Sequence, residues 1–493
     1  MEERYIASVD LGTSRIALAV AKVSGADIQV IYYRTRPSEG IRYSAVFNPQ
    51  KVSNILSAMI EDAEGELGLK ISQVATGLPR NNVRQESASG KVVRSESDSS
   101  ITKEEIDSIK MMAIDSYPVS DEKKEIIYGA VAQSFSTEDE FQALENDIVG
   151  MTGESLEGNF KVFIGNKRNV SNIDSALTKC GIASRKFFVP DVIARVVLTR
   201  EEMENGVALI DMGAGATSLS IYENNILRHY ISIPFGGNNI TSDIKKECGI
   251  STELAENIKL GYGICMPEKL QNMSEKVLQL NYSDGRSSRL PVKYLSEIIT
   301  ARVREILDAM LYEIKASGYA DKLRNGIVIT GGSAELANLT LYIGEVSGYE
   351  VRRGYPRHYF SAEGCSGIFD TEASATAGML LAAKASPYFN SVIQEDVPVK
   401  PAEKVAETVT VEEPAAAGET EDMPQATTVE KDHGFTPFGI EPTIFDDSEI
   451  EKKAKVKKVK RERPKLKTPL FWTKMSQKVE NVLGGLYDQT ENE

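Results

Sequence analysis

VALIDMGAGATSLSIY, residues 207–222, decides how the rest of the chain is read. Four apolar residues end in Asp211, a short glycine-containing turn follows, and a second strand runs on through Leu219. This predicts a hairpin whose first strand is buried on both faces. Gly213 and Gly215 take side chains out of the turn, so that backbone N–H groups can close on an anion that a Cβ would hold away. An acid next to such a cradle points to phosphates accompanied by Mg²⁺.

The pattern occurs a second time near the start of the chain. IASVDLGTSRIALAV, residues 6–20, superimposes on it without a gap: Val9 on Ile210, Asp10 on Asp211, Gly12 on Gly213, Leu18 on Leu219. Two copies of one hairpin imply two similar half-domains facing a shared ligand. The two acids would then hold one hydrated Mg²⁺ from opposite walls, while the turns hold the phosphates of one nucleotide.

At 493 residues there is room for two or three domains. The formal net charge of -15 argues against general nucleic-acid binding, which favours basic faces. Four widely spaced cysteines and three unclustered histidines show no metal-ligand spacing, which is the usage of a reducing cytosol. MEERYIASVD has no signal-peptide architecture, and no apolar run approaches the roughly 20 residues of a spanning helix.

In chain order, a strand is expected over 28–34, a helix over 49–67 with apolar residues at Val52, Ile55, Leu56, Met59 and Ile60, and a strand over 72–77. Residues 81–161 read as an inserted module with short strands and a helix opened by Thr102 with Glu105 three residues on, a capping box. Helices follow over 170–180 and 190–199. ISIPFGGNN, residues 231–239, predicts a strand ending in a Gly-Gly turn, followed by a helix through Asp243 to Lys246. Helices are then expected from Ser251 to about Gly261 and over 294–314. NGIVITGGSA, residues 325–334, repeats the strand-into-glycine device and brings helix N-terminal amides towards a ligand. A small-residue helix over 371–385 closes the fold.

From residue 387 the composition changes. Pro, Ala, Thr, Val and Glu dominate to 451, and residues 395–451 carry 16 acids against 3 bases, which predicts a disordered acidic linker. Residues 452–469 form a polybasic run. Over 470–488, Phe471, Val482, Met475, Leu486, Val479, Trp472 and Leu483 fall within an arc of about 120°, with Lys474 and Lys478 on the opposite face. A basic stretch before such a helix is the pattern of an interfacial anchor on anionic lipid, peripheral to the membrane.

With these residues in place, the order of motifs resembles the actin/Hsp70/sugar-kinase superfamily: VDLGTS its first phosphate loop, LIDMGAGATSLSIY its second, GIVITGGSAEL its adenosine loop, EASATAGMLLA the segment crossing back between the halves. Within it, GMTGESLEG (150–158), PFGGNNITSDI (234–244), ENIKLGYG (256–263) and the anchor after a long linker look like the bacterial FtsA family of cell-division proteins. The resemblance implies an actin-like α/β fold of two duplicated ATPase half-domains. The first would comprise residues 1–80 and 162–205, with the inserted α+β subdomain 81–161 between them, and the second residues 206–386.

The resemblance further implies ATP with Mg²⁺ at Asp10 and Asp211. Gly12, Thr13 and Ser14 would meet the phosphates from one side, Gly213, Gly215 and Thr217 from the other. Gly331, Gly332 and Ser333 would lie against adenosine, with Lys245, Lys246 and Lys259 near base or ribose. It implies self-association into filaments on the cytoplasmic face of the membrane at the division site, binding of the FtsZ C-terminal peptide around residues 236–320, and contact with other division proteins through the insert. Two departures stand out. Lys245-Lys246 replaces a Lys-Glu pair that actin relatives carry at the ribose, and PDVIARVVL offers Asp191 and Arg195 where a water-orienting Gln or Glu is usual. Slow hydrolysis is therefore expected, with no catalytic residue assigned. The rival readings are an actin-superfamily kinase or chaperone-like ATPase, and another actin-like scaffold of the MreB or PilM type.

Overall fold

The computed structural model describes residues 3–393, apart from 271, 272, 274, 282–286, 358 and 387. The acidic stretch from residue 394, the polybasic run and the anchor helix, with Phe471, Trp472, Lys474, Met475, Lys478, Val479, Val482, Leu483 and Leu486, lie outside the described residues.

Strands β1 (Arg4–Leu11), β2 (Arg15–Ser24) and β3 (Asp27–Pro37) form a meander, and helix α1 (Pro49–Leu67) leads to β4 (Gln73–Gly77). A separate sheet follows, β5 (Arg84–Val93), β6 (Glu125–Ser136) and β7 (Ser155–Asn166), with α2 (Lys103–Asp115) packed on it. Helix α3 (Lys167–Lys179), β8 (Ala183–Phe187) and α4 (Val189–Val197) carry the chain to a second meander, β9 (Val207–Met212), β10 (Thr217–Glu223) and β11 (Ile226–Ile233). Then come α5 (Gly237–Cys248), α6 (Thr252–Tyr262), α7 (Val292–Ala316), β12 (Ile327–Thr330), α8 (Leu339–Ser347), β13 (Val351–Arg353) and α9 (Ser374–Lys384).

The duplication read from two hairpins extends to whole sheets. Their orders, β3-β2-β1-β4-β8 and β11-β10-β9-β12-β13, are the same. Asp10 lies opposite Ala17 and Asp211 opposite Ser218, one register shared by both hairpins. Each acid-bearing strand also has a parallel neighbour, β4 beside β1 and β12 beside β9.

Alternation along these central strands sends side chains into different cores. Val207 and Leu209 enter the cluster that holds α4 and α9, while Ala208 and Ile210 enter the one built by α5, α6, α7 and α8. Ala7 and Val9 of β1 face α1 and α3. Helices α4 and α9 thus form a middle layer shared by both sheets. The long helix α7 buries Leu295, Ile299, Val303, Ile306, Met310 and Ile314, a stripe at helical spacing.

Helix α1 has the expected bounds, capped by Asn48 with Pro49 in its first turn. Other expectations are corrected. The strands of the insert are 10 to 12 residues long. RQESASGKVV of β5 reads poorly as a strand because Leu156, Phe160, Val162 and Ile164 on its partner β7 supply most of the apolar contacts. Gly236 and Gly237 do not make a strand turn but open helix α5. The closing helix starts at Ser374, after a 3₁₀ turn over Thr371–Ala373.

The chain also stays on the body past residue 387. Ser391 is fully buried, accepting from Ala7 N at 2.7 Å through its hydroxyl and donating its own N–H to Tyr5 O. Val392–Ile393 pairs with Lys70–Ile71. Arg4 donates to Lys384 O, Ser386 O and Phe389 O, fixing this strap to β1. Three backbone carbonyls around one guanidinium have no signature in local composition, which is why the expected boundary fell early.

The capping box on α2 is present as read: Glu105 N donates to Thr102 Oγ1 at 3.2 Å, and Thr102 N to Glu105 Oε2 at 2.8 Å. Thr102→Ala removes the first of these bonds. A loss of about 0.5–2 kcal/mol in the denaturant unfolding of the insert is expected, while the rest of the chain unfolds unchanged.

Candidate functional site

The two acid-bearing strands end at the same place. Between their turns lies a cavity of about 820 Å³, lined by Asp10, Gly12, Thr13 and Ser14 from one half and Asp211, Gly213, Gly331, Gly332 and Ser333 from the other. Most of the residues singled out in the sequence therefore converge. Their loops also brace one another. A Cβ on Gly215 would stand 2.6 Å from Thr13 Oγ1, so the two turns meet at a place where only glycine fits. Ser333 Oγ donates to Gly213 O at 3.3 Å, tying the third glycine turn to the second. Ser44 N donates to Thr13 Oγ1 at 3.0 Å and backs the first.

Gly215 and Thr217 do not line the cavity. Thr217 is fully buried behind its loop, donating to Phe235 O at 2.8 Å. Lys245 and Lys246 are exposed on the last turn of α5 and also stand off the cavity. Lys245 Nζ reaches Thr252 Oγ1 at 2.9 Å, and it is Thr252 that lines the wall. Lys259 does line it: Nζ donates to Glu256 Oε2 at 2.8 Å, Thr241 Oγ1 at 2.9 Å and Gly237 O at 3.3 Å. An acid–lysine pair thus stands at the cavity on α6, one helix later than the Lys245-Lys246 dipeptide. Its i,i+3 spacing was legible in ENIK, but the face it points to was not. Beside it Leu260 is 73% exposed and lines the cavity, an apolar shelf at the rim.

Helix α4 turns Ile193 towards the cavity. Asp191 and Arg195 pair with each other at 3.0 Å away from it, so neither is placed to orient a water there.

Two arginines escaped the sequence reading. Arg80 lies in the loop after β4, and its guanidinium spans the cleft: Nη1 donates to Asp211 Oδ2, and Nη2 lies 3.8 Å from Asp10 Oδ1. All three side chains are buried or nearly so. Burial pushes the Asp10 carboxyl up from its ordinary range, with Asp211 adding to the rise, and Arg80 and Arg15 pull against it. Burial opposes the charge on Arg80, yet Asp211 and Asp10 prevail and hold it above its usual value. Arg15, at the start of β2, pairs with Glu372 of the segment leading into α9. Both arginines connect one half to the other. No local pattern announces either, because each meets its acid only through the fold.

The site can do three things chemically. Open backbone turns suit phosphate oxygens. Two facing carboxylates suit a hydrated divalent cation. The Glu256–Lys259–Thr241 group offers donors and acceptors to a hydroxylated ligand beside an apolar shelf.

Comparison with known proteins places the chain beside one family and one fold. A family model described as cell division protein FtsA matches residues 208–377. The cell division protein FtsA of Neisseria meningitidis serogroup B is 30% identical over 360 residues, 72% of this chain and 85% of that protein. The FtsA of Borreliella burgdorferi is 29% identical over 409 residues, 82% of this chain and 97% of its own. Among solved structures, the PilM-PilN type IV pilus biogenesis complex superposes with a TM-score of 0.54 at 16% identity, covering 76% of this chain and 98% of that one. The fold is a mixed α/β, actin-like one.

The third glycine turn gives a direct test of the cavity wall. Gly331 has φ +90°, and a Cβ there would lie 2.5 Å from Asp211 Oδ1, whereas the nearest atom to a Cβ on Gly332 is 3.6 Å away. Gly331→Ala should lose more than about 1 kcal/mol of stability in thermal or denaturant melts. Gly332→Ala should melt like the wild type.

Proposed function

The chain belongs to the FtsA family of cell-division proteins, and from that premise we propose that it is an ATP-binding adaptor that polymerises on the inner face of the cytoplasmic membrane, tethers the FtsZ ring there and recruits later division proteins. The observation that carries the ATP reading is the convergence of three glycine turns and two strand-end carboxylates on one cavity of about 820 Å³, within the size range of small-ligand pockets. Gly12, Thr13, Ser14 and Gly213 are the proposed phosphate contacts. Gly331, Gly332 and Ser333 take the adenosine, and Glu256 and Lys259 take the ribose in place of Lys245 and Lys246. Asp10 and Asp211 hold Mg²⁺ through water, and the ion neutralises phosphate charge when bound.

ATP acts in this reading as a clamp, drawing the halves together and setting the polymer interface. With Ile193 rather than a base turned to the cavity from α4, hydrolysis is slow. The amphipathic segment 470–488 inserts at the lipid interface, and the polybasic run 452–469 meets anionic headgroups, each cation near the surface contributing roughly 1 kcal/mol. No described helix is long and apolar enough to cross a membrane. The FtsZ C-terminal peptide docks on the second half, and the insert 81–161 serves subunits and other division proteins.

Co-sedimentation with anionic vesicles, in the presence of ATP and a peptide from the FtsZ C-terminus, tests the adaptor. The full chain is expected to pellet with the vesicles and carry the peptide, and a chain ending at Pro469 to stay in solution. Retention of that truncated chain on vesicles would sink the anchor. Asp211→Ala should weaken Mg-ATP binding by tenfold or more, the worth of about 1.4 kcal/mol, in a calorimetric titration.

A further inference from the structure

The cleft carries its own cation. A guanidinium, rather than the side chains of the glycine turns, fills the space between the two facing carboxylates: Arg80 Nη1 is on Asp211 and Nη2 is 3.8 Å from Asp10. Its backbone is held from the opposite half, where Tyr230 Oη donates to Arg80 O at 2.8 Å, and Pro79 restricts the residue before it. Tyr230 is itself buried, edge-on to Phe163 and Phe188, so the loop that presents Arg80 has little freedom to withdraw. The guanidinium lines the cavity nonetheless.

Charge decides what this arrangement can do. Two buried carboxylates at the phosphate end of a cavity repel a polyphosphate, and one guanidinium offsets half of that charge. A guanidinium carries five N–H donors in a planar fork that suits phosphate oxygens as well as carboxylates, so it can exchange one for the other with its charge kept. A divalent ion approaching the same two acids competes with it directly.

Building on the reading of the cleft as an ATP site, we propose that Arg80 is a phosphate-contacting residue. It holds Asp10 and Asp211 until a metal–polyphosphate enters, then passes to the phosphate oxygens, and it supports polyphosphate binding when no divalent metal is present. Two consequences follow from the same geometry. Polyphosphate affinity depends on metal only modestly, because a resident cation does part of the work. Divalent metal alone binds poorly, because the guanidinium already occupies both acids.

The test is a calorimetric titration of the full chain with ATP, in Mg²⁺ and in EDTA at constant ionic strength, for wild type and Arg80→Met. Wild type is expected to keep measurable affinity in EDTA. Arg80→Met should lose about 10- to 100-fold there, the worth of a charge-assisted hydrogen bond, and less in Mg²⁺. Mn²⁺ alone, followed by paramagnetic resonance, should bind Arg80→Met at least about tenfold more tightly than wild type, a shift worth roughly 1.4 kcal/mol. Should Arg80→Met fail to fold, Arg80→Gln is the substitute and the same changes are expected. Equal metal dependence in wild type and variant, or tighter ATP binding by the variant in EDTA, would overturn the role of Arg80 while leaving the ATP site standing. Failure of folded wild type to bind ATP in either condition would overturn the ATP site and this role together.

Discussion

A strand covered on both faces can end in a charge only where the covering layers part. Strands β1 and β9 are such strands: Ile6, Ala7, Val9, Val207, Leu209 and Ile210 are all buried, and the neighbours of each strand alternate between two cores. The layer of α4 and α9 lies against both sheets, so the two strands must end together. Asp10 and Asp211 are brought face to face by this packing, not by attraction, and the cost of bringing like charges together in a poorly solvated place is what the rest of the cleft answers. Arg80 is the answer within the chain, and a metal–phosphate ligand would be the answer from outside.

The same constraint explains why the halves are connected as they are. Apolar contact through α4 and α9 is non-directional and tolerates small rotations. Directional links, Arg80 with Asp211 and Arg15 with Glu372, sit instead at the cavity. A ligand entering there competes with the polar links while leaving the apolar layer whole. Closure around a ligand, as proposed above, would then be an exchange of partners at one edge rather than a rebuilding of the core.

How much of this was legible in the sequence follows from the range over which each feature acts. The acid–glycine hairpins at 6–20 and 207–222 are written in consecutive residues, and their repetition pointed to the paired sheets and to the strand-end acids and turns that face the cavity. The Thr102–Glu105 cap and helix Pro49–Leu67 are local too, and both stand where the pattern put them. Lys245 and Lys246 were set near base or ribose, with Lys259, by the resemblance to actin relatives that carry a Lys-Glu pair there. On α5, however, they lie on the last turn, whereas Gly237 and Thr241, one face and two turns earlier, are the residues that meet the Glu256–Lys259 pair. Arg80, Arg15 and Arg4 were silent. An arginine announces only a charge, and its acid or carbonyl lies 131, 357 and 380 or more residues away, respectively.

The strap that ends at Ile393 is bonded to the strand that ends in Asp10. Ser391, the Val392–Ile393 pairing and the three carbonyls gathered by Arg4 tie the strap to β1 and to Lys70–Ile71, and Ser391 O also accepts from Ser72 N at 2.8 Å. Eight residues of β2 pair with β1 without a bulge. The first glycine turn thus lies at the far end of the same strand that the strap is bonded to.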